Sequence, residues 1–317
     1  MIRLIISFLC SFIMIFDIMA QQDPYYSQYM FNNMAINPGY AGSYDVVCLT
    51  GAHRQQWAGI EGAPETSLFT VNMPIKNKEF QINNKPTNHG LGLVVMNDRL
   101  GFDQNVSVGV DYAFVFSPGI MPGKIGIGVG GMFLNKALNA SWRVSGGGEW
   151  ESDPGIPRQD ESVTGFDLGV GIFYRAENMY FGLSSSHLLE PVLSYERANY
   201  RLRRHFFATA GCTFPLGNPA WEVAPSLMAY SDGVASQFTG NVNLMYNKKV
   251  WFGAGYRLND AMIAMVGFHL FDGVKIGYAF DYSYTSLRSG SHEVMLSYCF
   301  SLVKEKVVKK YKSVRFL

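Results

Sequence analysis

Residues 274–284 read Val-Lys-Ile-Gly-Tyr-Ala-Phe-Asp-Tyr-Ser-Tyr. Val274, Ile276, Tyr278, Phe280, Tyr282 and Tyr284 are large and apolar or aromatic. Between them stand Lys275, Gly277, Ala279, Asp281 and Ser283. A period of two is the side-chain period of a β-strand, so one face is greasy and the other small or polar. The pattern recurs. Val106, Val108, Val110, Tyr112, Phe114 and Phe116 alternate with Ser107, Gly109, Asp111 and Ala113. Phe166, Leu168, Val170, Ile172 and Tyr174 alternate with Asp167, Gly169 and Gly171. In a soluble sandwich the weaker face meets water and is rich in Lys, Glu and Thr. Here it is mostly Gly, Ala and Ser with an occasional charge, and the apolar face ends in aromatics. That combination predicts an all-β chain: a transmembrane antiparallel up-and-down β-barrel of outer-membrane type, lipid outside and a small-residue lumen within.

Composition agrees. Of 317 residues, 48% are hydrophobic, 15% aromatic and only 16% charged, against about 25% charged in an average soluble domain. Beyond the first twenty residues no stretch of about 18 uninterrupted apolar residues exists, so no transmembrane helix is expected. A closed barrel is then the remaining way to pair every backbone polar group in hydrocarbon. The formal net charge of +1 indicates no long-range attraction to nucleic acid.

Residues 1–20 read as a secretory signal peptide: Arg3, an apolar run from Leu4 to Ile18, and Ala20 before Gln21-Gln22. The alternative is a membrane anchor, but the run is short and no basic flank follows. Cys10 lies inside that run. The remaining Cys48, Cys212 and Cys299 are odd in number and far apart, so no disulfide framework is expected and each reads as a small apolar strand residue.

Residues 21–44 lack alternation and are rich in Gln, Tyr, Asn and Met. They read as an N-terminal periplasmic or plug segment. The barrel is expected over 45–301, with fourteen strand candidates near 45–56, 65–74, 89–98, 104–116, 123–134, 165–175, 178–188, 204–214, 221–231, 235–246, 250–257, 261–270, 274–284 and 291–301. A chain entering from the periplasm makes the odd-to-even connections external, where such barrels carry their long loops. The long connections 135–164 and 189–203 fall on that side. Residues 75–88 disobey, reading as a fourteen-residue periplasmic loop; either the count slips there or the loop has a periplasmic job. After Phe300 a basic tail, 302–317, carries Lys304, Lys306, Lys309, Lys310, Lys312 and Arg315. It could dock an acidic periplasmic partner or be a solvated terminus.

No catalytic, cofactor or metal site is expected. Gly126, Gly128, Gly130 and Gly131 lie inside an alternating strand rather than at a strand-to-helix turn, so they are no dinucleotide fingerprint. His53, His89, His187, His205, His269 and His292 show no metal-ligand spacing. Ser297 and His292 differ in parity and face opposite sides. Arg54 and Gln56 share parity and could both face the lumen, holding the N-terminal segment or merely lining the wall. Trp57 suits an interface belt.

Three stretches carry a resemblance. Asp23-Pro24-Tyr25-Tyr26-Ser27-Gln28-Tyr29-Met30-Phe31-Asn32, followed by Asn37-Pro38-Gly39-Tyr40-Ala41-Gly42-Ser43, resembles the mature start of the PorP/SprF family of Bacteroidota outer-membrane proteins. So does Arg54-Gln55-Gln56-Trp57 followed by Gly62-Ala63-Pro64, and the closing His292-Glu293-Val294-Met295-Leu296 is similar. The resemblance makes Asn37, Pro38, Tyr40, Ala41, Gly42, Arg54, Gln56, Trp57, Gly62 and Pro64 the motif residues. It implies a component of the type IX secretion and gliding-motility machinery, with periplasmic and outer-membrane components of that machine, secreted cargo or a surface adhesin, and lipid as partners. The alternatives are a passive, porin-like solute channel and a barrel enzyme. A lumen of about fourteen strands exceeds what wall side chains fill in an eight-stranded barrel, so residues 21–44 are the candidate plug.

Overall fold

The computed structural model describes residues 23–82, 85–139, 159–196, 199–284 and 289–301. Residues 1–20, expected as a signal peptide, residues 302–317 and most of the 135–164 stretch lie outside the described residues.

Fourteen antiparallel strands form the wall: β1 (Val47–Gln55), β2 (Glu65–Ile82), β3 (Lys85–Leu100), β4 (Asp103–Phe116), β5 (Lys124–Leu138), β6 (Glu161–Arg175), β7 (Met179–Ser186), β8 (His205–Cys212), β9 (Trp221–Ser231), β10 (Ser236–Tyr246), β11 (Val250–Arg257), β12 (Ala261–Phe271), β13 (Val274–Ser283) and β14 (Gly290–Phe300). Each pairs with its sequence neighbours. β14 pairs with β1, Cys48 opposite Cys299 and Arg54 opposite Glu293, so the wall closes and has no free edge. Phe214–Pro215 only extends the ladder beside β9, and Val192–Ser194 with Asn199–Arg201 makes a small hairpin in the β7–β8 connection. No helix among the described residues is long and apolar enough to cross a membrane; the crossing is made by strands.

The alternation decides which side is which. On β4, Val106, Val108, Val110 and Tyr112 are exposed, while Ser107, Asp111 and Ala113 are buried. On β13, Tyr278 and Tyr282 are exposed, whereas Ala279, Asp281 and Ser283 are buried. Large apolar side chains thus coat the outside and small or polar ones line the lumen, the inverse of a soluble domain.

Long connections gather at one end of the barrel, the loop end, which holds 56–64, 139–160 and 187–204. The opposite end holds tight turns such as 247–249 and 272–273. Two expectations are corrected here. Residues 75–88 are not a loop. β2 and β3 run on past their outer neighbours, β1 reaching only Asn72 of β2 and β4 only Asn88 of β3, so the remainder pairs with itself as a hairpin beyond the turn end. Pro74 and Pro86 fit there because an overhanging two-stranded hairpin has unpaired edges where Pro is tolerated. Second, Cys48 and Cys299 are joined in a disulfide across the β1–β14 seam, 251 residues apart in sequence; Cys212 is free. Barrel closure brings together what linear distance had kept apart.

Candidate functional site: a segment locked inside the lumen

Residues 23–44 occupy the barrel interior. They run from the loop end, at Asp23, down to the turn end, where β1 begins. Three short 3-10 turns, Tyr29–Phe31, Asn33–Ala35 and Pro38–Tyr40, compact the segment. The last has a local cause: the Asn37 side chain caps it, accepting from the Gly39 N–H at 2.9 Å, and Pro38 stands at the first helical position.

The segment is held at several levels. Near the loop end Ser27 and Gln28 sit in a buried ionic cluster. Glu293 accepts from the backbone N–H of Ser27 (2.7 Å) and of Gln28 (2.9 Å). The Ser27 hydroxyl donates to Asp281 (2.7 Å) and accepts from Arg54 (3.0 Å) and Arg257 (2.8 Å). Arg54 pairs with Asp281 (2.7 Å) and Glu293 (3.1 Å), and Arg257 with Asp281 (3.0 Å) and Asp260 (3.2 Å). Arg54, Arg257, Asp281 and Glu293 are each 1% exposed. Two cations and two anions cancel, which is what makes four buried charges tolerable. Tyr25 covers the cluster, its ring 4.3 Å from the Arg257 guanidinium, and its hydroxyl donates to Asp260 (3.1 Å).

Midway, the Asn37–Gly39 turn lies directly on the wall. The Asn37 amide donates to the carbonyls of Ile172 (3.1 Å) and Leu183 (3.3 Å), and Ser184 donates to Ile36 O (2.6 Å). A methyl on Gly126 would land on the Gly39 carbonyl, and one on Gly128 on the Pro38 carbonyl. The glycine stripe of β5 is therefore a backbone-to-backbone docking track. Tyr40 packs edge-on against Phe173. Lower still, Ala41 and Gly42 pass over Gly90 of β3, Gly42 with φ 67°. The Gly42 N–H donates to Asn72 (2.7 Å), and Arg175 stacks on Tyr44 at 3.4 Å while donating to Ser43 O.

The start of the segment has its own anchor. Asp23 Oδ2 lies 3.0 Å from His187 Nε2 and 2.7 Å from His205 Nδ1, and His187 Nδ1 lies 2.7 Å from Asp167 Oδ2. Burial would raise the Asp23 carboxyl, but the two imidazoles outweigh it and hold it well below the usual carboxylate range. Burial would likewise lower His187, yet Asp23 and Asp167 push it up to about 10. The spacing of the histidines predicted no such grouping; the strand pairing of β7 with β8 creates it.

Of the motif residues, Asn37, Pro38, Tyr40, Ala41, Gly42 and Arg54 converge in the lumen. Gln56, Trp57, Gly62 and Pro64 do not join them. Gln56 lies past the end of β1, where its N–H donates to Pro64 O (2.9 Å), and Trp57, with φ 45°, donates from its backbone to Ser291 (3.2 Å). They shape the β1–β2 connection against the start of β14. Gly62 takes φ 73° there. The sequence did not single out Arg257, Asp281, Glu293 or Ser27; the parity of β11, β13 and β14, read together with β1, was the signal available. Lys304, Lys306, Lys309, Lys310, Lys312 and Arg315 lie outside the described residues.

Cavities of about 120 Å³ and about 20 Å³ lie beside the upper segment, one of about 180 Å³ lies near the disulfide, and a recess of about 680 Å³ opens around Arg175, Tyr180, Trp251 and Lys275 at the turn end.

Among solved structures the chain is similar to the Ralstonia pickettii toluene transporter TbuX (TM-score 0.47, 12% identity, 84% of this chain and 92% of that one). It is also similar to the P. putida toluene transporter TodX (0.45, 10%, 86% and 94%) and to Acinetobacter baumannii Omp33 (0.44, 8%, 82% and 100%). None of these likenesses is close enough to carry an argument about this chain. No curated protein matches it. The family described as type IX secretion system membrane protein PorP/SprF matches residues 18–298, nearly the whole chain. The chain belongs to the PorP/SprF family of type IX secretion system membrane proteins.

Proposed function

We propose that this protein is an outer-membrane component of the type IX secretion machinery that acts through protein–protein contacts, aiding export or surface anchoring of specific cargo such as an adhesin, and not as an open solute channel or an enzyme. The observation that carries this reading is the locked lumen. A conduit for small solutes would need a continuous aqueous path, whereas here residues 23–44 fill the bore and their polar groups are tied to both charged and backbone groups of the wall. The loop end is taken to face the exterior, the arrangement usual for barrels with one long-looped rim. The overhanging β2–β3 hairpin then faces the periplasm, where its Lys76 and Lys85 offer charge to an acidic partner; the six cations within 304–315 suit the same partner chemistry.

A strain lacking the protein tests this. It should fail to display one or more specific cargo proteins or adhesins, and lose gliding where the organism glides, while small-solute uptake stays unchanged. Normal surface cargo with impaired solute uptake would instead establish the channel reading.

A further inference from the structure

We propose that Asp23, His187 and His205 form a binding site for one divalent transition-metal ion of the zinc class, which fastens the start of the luminal segment to the barrel wall. Two imidazole nitrogens and a carboxylate oxygen are a zinc donor set. One ligand atom from each residue can be chosen so that all lie within 4.8 Å of one another. Asp23 Oδ2 sits between the rings, 3.0 Å from His187 Nε2 and 2.7 Å from His205 Nδ1. Around an ion about 2.0–2.1 Å from each donor, tetrahedral neighbours stand about 3.3 Å apart. The donors would therefore spread by roughly half an ångström to admit it.

Three further features point to a ligand rather than to an ion pair alone. Behind His187, the Asp167 carboxylate takes the other ring nitrogen at 2.7 Å, and Asp167 is itself fixed by the backbone N–H groups of Leu168 (2.7 Å) and Leu189 (3.1 Å). Asp167 is 0% exposed. A carboxylate behind a ligand histidine is the arrangement that fixes tautomer and ring orientation at metal sites. His205 is 3% exposed, and its Nε2 is buried with no hydrogen-bond partner among the described residues, while its Nδ1 faces Asp23. Finally, the cavity of about 120 Å³ is lined by both Asp23 and His187 and leaves room for a water as fourth ligand. Asp23 and Asp167 together carry the two negative charges that a divalent ion balances with both rings neutral. The ligands come from the luminal segment, the residue just past β7 and the start of β8, so binding adds a bond from the luminal segment to two paired strands of the wall.

The test uses the whole protein purified in detergent without a polyhistidine tag and stripped with a chelator. Zinc is titrated by calorimetry, and cobalt by visible absorption, where tetrahedral coordination gives an intense d–d band. One zinc per chain, the cobalt band, and a zinc-dependent rise in the unfolding temperature are expected. The double variant His187→Gln/His205→Gln should lose the band and the stoichiometric binding. Asp167→Asn keeps every ligand and should weaken zinc binding about 10–100-fold. Heat-modifiable migration on gels confirms that each variant remains a folded barrel; a variant that fails this check is replaced by Asp23→Asn, which removes a ligand from the luminal segment alone. Absence of stoichiometric zinc binding by the folded wild-type protein overturns the proposal. So does zinc binding that survives loss of both histidines unchanged.

Discussion

Replacing Arg54 with Met isolates the ionic cluster that holds Ser27 and Gln28. Methionine approximates the length of the arginine stem but removes one of two cations facing Asp281 and Glu293, leaving the buried set one negative charge in excess. Removing one partner of a buried pair costs about 3–5 kcal/mol, because a charge is left without compensation. That cost falls on the docked state, since water reaches the carboxylates once the segment leaves. At about 1.4 kcal/mol per factor of ten, undocking becomes about 10²–10³-fold more favourable. Trp251 reports it: its side chain is 1% exposed and its ring lies 5.1 Å from that of Phe31. With the other four tryptophans changed to Phe, acrylamide should quench Trp251 far more strongly in Arg54→Met than in the Arg54 parent. The compensated pair Arg54→Met/Glu293→Gln restores neutrality and should recover about 1–3 kcal/mol relative to the sum of the single changes. Equal quenching in parent and Arg54→Met, together with additive single effects, would refute the reasoning.

Further outcomes follow from individual contacts. Gly128→Ala puts a methyl where Pro38 passes and should cost about 1–3 kcal/mol, whereas Gly109→Ala, whose nearest neighbour would be 3.7 Å away, should be tolerated; urea midpoints separate them. Cys48→Ser removes the link between the first and last strands. It should lower the denaturation midpoint, with an entropic ceiling of about 5 kcal/mol for so long a loop, while the barrel still closes through the β1–β14 ladder; peptide mass spectrometry under non-reducing conditions checks the bond itself. Cysteine at Gly233 should react with an impermeant reagent on intact cells and cysteine at Lys248 should not, and labelling at Lys248 alone would invert the orientation.

The wall was legible because period-two alternation survives in a single sequence. Each of the fourteen strand candidates corresponds to one wall strand. The overhanging hairpin was not, because Pro74 and Pro86 carry turn signals whose meaning changes once the flanking edges are unpaired. The site was legible only in part. Arg54 stood out by parity, but its partners Asp281 and Glu293 lie over 200 residues away and are chosen by barrel closure. One constraint was available: a closed barrel pairs its first strand with its last. Cys48 and Arg54 are six residues apart, as are Glu293 and Cys299, so one register satisfies both the charge pair and the disulfide. The Asp23 cluster left no periodic trace, since it joins a segment, a strand end and a strand start.

The central claim is that the bore is closed by its own N-terminal segment, and planar-bilayer conductance tests it most directly. The intact protein should insert and conduct poorly, while a variant lacking residues 23–44 but keeping residues 1–22 and the barrel should show discrete, larger steps. Equal conductance from the two proteins would contradict the account.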